Sequence, residues 1–183
     1  MIVPATRSRR LRATLATLAA AALAATAAPA VAQVAPASPA APAPAPAATD
    51  AAAEREALAV VTGLFDAMRS RDTATLRSSF AEGTMLTSVS MREGKPAVQR
   101  SPIDSWITSV GGAPAGLVLD ERLYNPRVQL SDGLATVWVE YDFYTGDKFS
   151  HCGVDAFILV RLADGWKVAS LADTRRREGC PTR

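Results

Sequence analysis

The sequence predicts an α+β domain in which helices cover one face of a curved antiparallel sheet. Residues 134–177 contain three runs rich in β-branched and aromatic residues. Turns at Thr145-Gly146-Asp147 and Ala163-Asp164-Gly165 separate these runs, which is the pattern of strands joined as hairpins. Upstream, apolar residues recur three and four positions apart, as they do on one side of a helix. The predicted order is helix, helix, strand, helix and then four strands.

Residues 1–32 are expected to be a signal peptide. Arg7–Arg12 form a basic region, and residues 15–27 form an apolar stretch that is short and alanine-rich for a membrane span. Ala30-Val31-Ala32 then supplies a small-x-small cleavage site. The alternative is a disordered alanine-rich tail or a retained anchor. We expect a periplasmic or secreted protein with no membrane attachment after signal cleavage.

The export route and the linker can also be predicted. Arg9-Arg10 suggests a twin-arginine signal, but Arg12 stands where that signal usually has a large apolar residue, which favours the general secretory route. Residues 33–49 alternate alanine with proline. Because proline fixes φ and has no N–H group, we expect a disordered, semi-stiff linker there. The folded domain is expected over residues 50–183.

Two helices open this domain. Asp50 is the expected N-cap of the first helix, which ends at Ser70-Arg71-Asp72. Its buried face is formed by apolar residues spaced three or four apart, namely Leu58, Val61, Phe65 and Met68. The second helix is expected to begin at Asp72 or Thr73 and to end before Gly83.

A short strand over Met85–Met91 and a loop over Arg92–Arg100 are expected next. Ser101-Pro102 then predicts a helix start, with serine as the N-cap and proline in the first turn. Ile103, Trp106, Ile107 and Val110 give that helix one apolar face, and Gly111-Gly112 ends it. Residues 117–130 predict a strand that kinks at Asn125-Pro126, and Asp132-Gly133 predicts the turn into the hairpins.

Charge and composition exclude several classes of function. The chain has 20 basic and 18 acidic residues, and residues 1–32 hold four arginines and no acid, so the mature chain keeps 16 basic against 18 acidic residues. Arg175-Arg176-Arg177 is its only basic run and is expected to be a solvated strand end, so we predict no nucleic-acid partner. One histidine and two cysteines provide no metal-ligand cluster, and no glycine loop of a nucleotide site is present, so no metal or cofactor is expected.

The domain resembles the nuclear transport factor 2-like superfamily, and within it the SnoaL-like and putative lumazine-binding-like branches. Three segments over residues 54–180 carry the resemblance, LFDAMRSRDTATLRSSFAEGT, GVDAFILVRLADGWKV and LADTRRREGC. The resemblance implies a cone, in which a bent sheet wraps around about three N-terminal helices and a pocket opens at one end. It also implies ketosteroid isomerase-like enzymes, dehydratases, epoxide hydrolases and non-enzymatic binding proteins as relatives, so it assigns no single function.

Strand alternation assigns two faces to the predicted hairpins. A two-residue turn at Gly146-Asp147 places Asp142 opposite His151 and Trp138 opposite Asp155 on an outer face, where cones of this type dimerise. The opposite, buried face is then formed by Val137, Val139, Tyr141, Phe143, Val154, Ala156, Ile158 and Val160. Asp142 and His151 form a candidate acid–base dyad. On a polar outer face, an ordinary surface or interface pair is the favoured interpretation.

Cys152 adjoins His151, but neighbouring strand residues point to opposite faces, so a catalytic thiol–imidazole pair is not expected. The last hairpin brings Cys152 near residues 176–177, and Cys180 follows a few residues later. We therefore predict a Cys152–Cys180 disulfide that pins the C-terminal tail to the sheet. Closing a loop of about 28 residues would stabilise the fold by about 3 kcal/mol.

The candidate ligand pocket is the buried face. A two-residue Asp164-Gly165 turn places Asp173 and Arg175 beside Tyr141, where they could orient a small apolar or aromatic ligand together with Trp106 and Phe65. A structural Asp–Arg pair closing the sheet is the alternative, and a three-residue turn would move both residues to the outer face.

Three functions follow from these patterns. The first is an exported small-molecule-binding protein without catalysis. The second is an isomerase, dehydratase or hydrolase in which Asp173 is the base and Tyr141 the donor. The third is a dimerisation module, a homodimer that uses the outer sheet face.

Overall fold

A computed structural model describes residues 48–183, with side chains from Asp50 onward. The predicted signal peptide and nearly all of the predicted linker lie outside the described residues. The helices are α1 (Ala48–Ser70), α2 (Thr73–Ser79) and α3 (Ile103–Gly111). The strands are β1 (Met85–Arg92), β2 (Lys95–Pro102), β3 (Leu119–Ser131), β4 (Leu134–Thr145), β5 (Lys148–Leu162) and β6 (Gly165–Arg175). None of the helices in this part of the chain has the length and apolar character that crossing a membrane requires.

The sheet is a curved, unclosed six-stranded sheet with the strand order β2-β1-β6-β5-β4-β3. All neighbouring strands are antiparallel except β1 and β6, which run parallel, so the sheet is mixed rather than purely antiparallel. The three helices cover its concave face, which confirms the α+β cone. Buried side chains from both layers form the core, where Phe65 of α1 packs edge-to-face on Phe157 of β5 with ring centroids 6.1 Å apart.

The helix starts are partly as predicted. Residues 48 and 49 are helical, so α1 includes the last two positions of the predicted linker and Asp50 lies in its first turn instead of at its cap. Helix α2 begins at Thr73, one of the two predicted starts, and Asp72 caps it, because its carboxylate accepts hydrogen bonds from the backbone N–H groups of Ala74 and Thr75, both at 3.1 Å.

The predicted loop over Arg92–Arg100 is wrong, because most of it is strand β2, which forms a hairpin with β1. Glu93 and Gly94 make the turn with positive φ angles of 50° and 74°. Pro96 lowers the strand propensity of this segment, but β2 is an edge strand, where proline is tolerated. The predicted Ser101 cap is also wrong: Ser101 pairs with Leu86 in the ladder, and Pro102 is the residue at the helix start.

The predicted kink in β3 is confirmed. The register with β4 shifts between Tyr124 and Arg127, and Asn125 has a φ of 51°. The hairpin turn at Asp132-Gly133 is confirmed as well, with φ angles of 40° and 84°.

The β4–β5 hairpin has the predicted turn but a different register. Thr145 pairs with Lys148 across Gly146-Asp147, but one extra residue, Ser150, then shifts the ladder. Phe143 therefore faces His151, and Asp142 faces Cys152. Because side chains alternate, this single bulge exchanges the two faces of β5.

The exchange corrects the assignment of buried residues in β5. Phe157 and Leu159 are buried in the core, whereas Ile158, which was predicted to be buried, is 43% exposed. Asp155, predicted on the outer face, lies on the inner face opposite Val139.

The β5–β6 hairpin differs from the prediction at its turn and at one bulge. Leu162 pairs with Gly165, so the turn is Ala163-Asp164, one residue earlier than predicted, and this displacement leaves the faces unchanged. The register then shifts between Ile158 and Leu159, where Ala169 is the extra residue, and this bulge reverses for β6 the exchange of faces made at Ser150. Asp173 consequently pairs with Asp155 and lies on the same face as Tyr141, as predicted.

The C-terminal tail is attached to the outer face of the sheet. Cys152 and Cys180 form the predicted disulfide, with Cα atoms 5.9 Å apart. The Arg183 guanidinium lies 2.5 Å from the Glu140 carboxylate and 3.5 Å from the Asp142 carboxylate. The tail therefore buries Asp142 to 4% exposure on a face that is otherwise open to solvent.

Candidate functional site

A cavity of about 160 Å³ opens between the helices and the concave face of the sheet. Half of its lining residues are apolar, namely Met68, Trp106, Val110, Leu119 and Phe143. Its remaining lining is polar and comes from Ser109, Glu121, His151, Asp173 and Arg175. This mixture of apolar walls and a few convergent polar groups is typical of small-molecule sites.

Strand pairing brings part of the polar end together. Glu121 of β3 pairs with Phe143 of β4, and Phe143 pairs with His151 of β5, so the three side chains form one row on the inner face. His151 occupies this row only because of the extra residue Ser150. Trp106 of α3 forms the opposite wall, held edge-to-face against Phe80 with ring centroids 6.1 Å apart.

Three carboxyl groups meet around this polar end. The carboxyl groups of Glu121 and Asp155 lie close enough to share a hydrogen bond, and Asp155 pairs across the ladder with Asp173. Burial raises the pKa of Glu121 to about 7, and the nearby Asp173 charge acts in the same direction. Burial, followed by the charge of Glu121, holds the pKa of Asp155 well above its usual range. A hydrogen bond between two carboxyl groups needs a proton, so this pair retains one near neutral pH.

Asp173 has one partnered and one unpartnered oxygen. Its Oδ2 accepts a hydrogen bond from Nε of Arg175 at 2.5 Å. The residue is only 6% exposed, and no donor among the described residues reaches its Oδ1. A buried carboxylate oxygen without a donor is costly unless a ligand or solvent supplies one. Asp173 is therefore the strongest candidate contact for a ligand donor group.

His151 is a neutral side chain at neutral pH. Burial lowers its pKa to about 4, and the Arg175 charge adds to this effect. Nδ1 lies 3.0 Å from the Ser150 hydroxyl, and the ring packs on Tyr141 and Phe143 with centroid distances of 5.6 Å and 5.0 Å. Nε2 remains as the ring nitrogen that could exchange a hydrogen bond with a ligand.

Tyr141 lies next to the cavity wall without lining the cavity. Its hydroxyl donates to the Thr174 carbonyl at 2.9 Å, and burial raises its pKa. Gly153 makes room for this contact, since a Cβ there would lie 1.8 Å from the Thr174 oxygen and 2.9 Å from the tyrosine ring. The hydroxyl is therefore committed to the sheet and does not line the cavity.

The structure brings four of the sequence-predicted residues into the cavity lining, namely Trp106, His151, Asp173 and Arg175. Phe65 lies in the core against Phe157, and Tyr141 lies behind the wall. Asp142 and His151 form neither the candidate dyad nor the favoured surface pair, because the Ser150 bulge turns His151 inward and leaves Asp142 outside under Arg183.

Sequence reasoning missed Glu121 and Asp155 as site residues. Glu121 could have been found, because strand alternation places it on the same face as Leu119 and Leu123. Asp155 could not have been found from the sequence, because the bulge at Ser150 decides which face of the sheet it occupies. In the part of the chain that the structure describes, no group of histidine, cysteine and acidic side chains is arranged to hold a metal ion.

Residues 52–172 match the family model described as putative lumazine-binding. The chain belongs to this family. No curated protein matches it. Its fold is that of the nuclear transport factor 2-like superfamily, as comparison with solved structures shows.

Three solved structures illustrate that fold. A protein from Streptomyces avermitilis, named a putative dehydratase of the NTF2-like family, has 18% identity and a TM-score of 0.54, with 70% of this chain and 99% of that chain covered. An NTF2-like protein of unknown function from Silicibacter pomeroyi has 20% identity and a TM-score of 0.51, covering 71% and 99%. The beta subunit of a putative aromatic-ring-hydroxylating dioxygenase from Novosphingobium aromaticivorans has 7% identity and a TM-score of 0.58, covering 73% and 95%.

Proposed function

We propose that this protein binds a small organic molecule in the cavity beneath α3 without transforming it. One observation carries the proposal: apolar walls lead to a buried, unpartnered Asp173 oxygen. A ligand N–H or O–H group would donate to that oxygen while its ring packs between Trp106 and Phe143. The family description, putative lumazine-binding, supports a heteroaromatic ring among the candidate ligands.

The cavity volume limits the size of the ligand. An apolar cavity of about 150 Å³ is known to hold one benzene molecule. The present cavity, at about 160 Å³, therefore accepts a single ring with few substituents. Any larger part of the ligand has to extend through the mouth of the cavity.

A binding role is supported by how the polar groups are already used. The Tyr141 hydroxyl donates to a backbone carbonyl, and the Asp173 carboxylate is paired with Arg175. The Tyr141 hydroxyl is therefore not free to act as the donor of the enzyme mechanism that the sequence suggested, and Asp173 has only its Oδ1 left for a ligand. These contacts instead fix the wall of a preformed site.

One observation favours catalysis as a second candidate function. The Glu121–Asp155 pair holds a proton close to Asp173, and a neutral carboxyl group beside a charged carboxylate is a common acid–base arrangement. In that case Asp173→Asn and Glu121→Gln would each abolish turnover of a bound compound. A compound that binds and is recovered unchanged from the wild-type protein would exclude this candidate for that compound.

The compartment and the assembly are proposed on separate grounds. The Cys152–Cys180 disulfide supports export to an oxidising compartment, periplasmic or extracellular.

Trp138 and Ile158 are 51% and 43% exposed on the outer face, which supports homodimerisation through that face. Light scattering should report a dimer that Trp138→Lys dissociates, and a strict monomer at micromolar concentration would refute it.

Thermal-shift and ligand-observed NMR screening of single-ring compounds tests the binding proposal. Compounds that carry a ring N–H or O–H donor should raise the melting temperature of the wild-type protein. Ser109→Phe should abolish this effect, because the exposed Ser109 lines the cavity and a phenyl ring there would fill it.

Ser105→Phe is the matched control, since Ser105 is exposed one turn earlier on α3 and does not line the cavity. It should leave binding unchanged. Equal binding by wild type and Ser109→Phe, or no binding by any donor-bearing ring, would contradict the proposal.

A further inference from the structure

We infer that the molecule held in the cavity carries an anionic group, a carboxylate or a phosphate, that binds in an arginine-lined groove at the mouth of the cavity. This inference rests on the proposed binding function and adds the chemical class of the ligand. The groove has a volume of about 940 Å³ and is open to solvent. It is lined by Arg92 at the end of β1, by Arg175 of β6 and by Arg176 and Arg177, which follow β6.

The groove and the cavity share two wall residues. His151 and Arg175 line both spaces, so a ligand that leaves the cavity at its polar end enters the groove directly. The parallel pairing of β1 with β6, which sets Ser90 beside Arg175, brings Arg92 to the same end of the sheet as the arginine run.

The groove carries positive charge that the protein itself leaves largely uncompensated. Among the described residues, no carboxylate lies within 4 Å of the guanidinium groups of Arg92, Arg176 or Arg177. Arg175 uses its Nε–H for Asp173, and a guanidinium has four further N–H donors. Glu178 is the one acidic side chain in the lining. Guanidinium groups gathered in this way favour carboxylate and phosphate groups.

The charges also fix the direction in which the ligand lies. An anionic group inside the cavity would face Asp173 and Glu121, and the one arginine there, Arg175, is already paired with Asp173, so like-charge repulsion disfavours this placement. The same group placed outward would face the arginines. The ring with its donor group therefore points inward, and the anionic group points into the groove. The sequence alone indicated only a solvated strand end for Arg175-Arg176-Arg177.

Matched pairs of compounds test this orientation. Each pair contains a phenol with a short carboxylate chain and its methyl ester, for example 3-(4-hydroxyphenyl)propanoate and the corresponding ester, and inorganic phosphate serves as a probe of the groove alone. NMR titration at low salt should show that the acid binds the wild-type protein at least about tenfold more tightly than the ester.

Arg92→Gln combined with Arg177→Gln should reduce that ratio to within about twofold and leave ester binding unchanged. Arg55→Gln combined with Arg100→Gln is the control, because it removes the same charge from exposed arginines outside the groove, and it should preserve the ratio. Equal affinity of acid and ester for the wild type, or a ratio that persists in the groove variant, would overturn the inference.

Phosphate separates this failure from failure of the cavity proposal. If no ring compound binds but phosphate shifts the amide signals of residues 90–92 and 175–177, the proposed cavity function is wrong and the groove is an anion site in its own right. If neither the ring compounds nor phosphate bind, both proposals fall.

Discussion

The concave face has an apolar end and a polar end. Both are built from the same strands, but their buried side chains have different neighbours. At the apolar end, Phe157 of β5 packs against Phe65, and both are almost fully buried. Two residues earlier on the same strand, Asp155 is equally buried but meets Glu121 and Asp173. Strand alternation thus directs both residues inward, and only their chemistry separates core from site.

The difference shows where the fold is stabilised and where it is held ready for a ligand. Apolar burial at the first end contributes to stability with every contact it makes. At the polar end, burying carboxyl groups lowers the free energy of unfolding. The proton on the Glu121–Asp155 pair and the hydrogen bond from Arg175 to Asp173 offset only part of this loss. Such a cost is typical of functional sites.

The largest predicted effect belongs to the apolar end. Phe157→Ala removes a side chain that is 1% exposed and should destabilise the protein by about 4 kcal/mol through lost burial and a residual cavity. Urea unfolding measures this loss. Ile158→Ala, one residue further on and facing outward, is the control and should cost less than about 1 kcal/mol. Similar losses for the two variants would contradict the face assignment of β5.

The next effect tests the backbone behind the polar end. Gly153→Ala places a methyl group against the Thr174 carbonyl and the Tyr141 ring, and should cost about 2–3 kcal/mol through forced strand displacement. Tyr141→Phe loses only the hydrogen bond to Thr174 and should cost about 1 kcal/mol. Both values follow from chemical denaturation. A tolerated alanine at position 153 would show that β5 and β6 are not held this closely together.

The last effect has the opposite sign and depends on pH. The pKa of Glu121 is raised from 4.5 to about 7 in the folded state, so the folded protein binds more protons than the unfolded chain between these values. Stability from this group is present below about pH 4.5 and is lost as the pH rises through about 7. Glu121→Gln, which cannot ionise, should therefore stabilise the protein by up to about 3 kcal/mol at pH 8 and hardly at all at pH 4.

Urea unfolding of wild type and Glu121→Gln at pH 4 and pH 8 provides the measurement. His151 acts in the reverse direction, because its pKa is lowered to about 4 and its contribution is lost as the pH falls from about 6.5 through 4. His151 is present in both proteins, so its contribution cancels when wild type and Glu121→Gln are compared at the same pH. Glu82→Gln, at an exposed position, is the control, and a destabilised Glu121→Gln at pH 8 would refute the description of the carboxyl cluster.

The sequence predicted the fold more fully than the site. The start of α2 at Thr73, the kink at Asn125 and the turn at Asp132-Gly133 depend on local chemistry, and each lies where it was predicted. Strand β2 was missed because Pro96 lowers the strand propensity of a segment that pairs only as a sheet edge.

The site was harder because it depends on register. One unpaired residue, Ser150, moved His151 inward and joined Asp155 to Glu121, and no local pattern marks such a bulge. Asp173 was placed on the correct face because two bulges, at Ser150 and at Ala169, compensate each other. The carboxyl cluster itself joins β3, β5 and β6, which lie far apart in the chain, so only the assembled sheet reveals it.

Native mass spectrometry of the protein, purified from its own host without denaturation, tests the central claim most directly. We predict one small organic compound per chain, released on unfolding and absent from Ser109→Phe but present in Ser105→Phe. Unliganded mass for the wild-type protein, or an equal adduct on both variants, would contradict the claim that the cavity beneath α3 is a binding site.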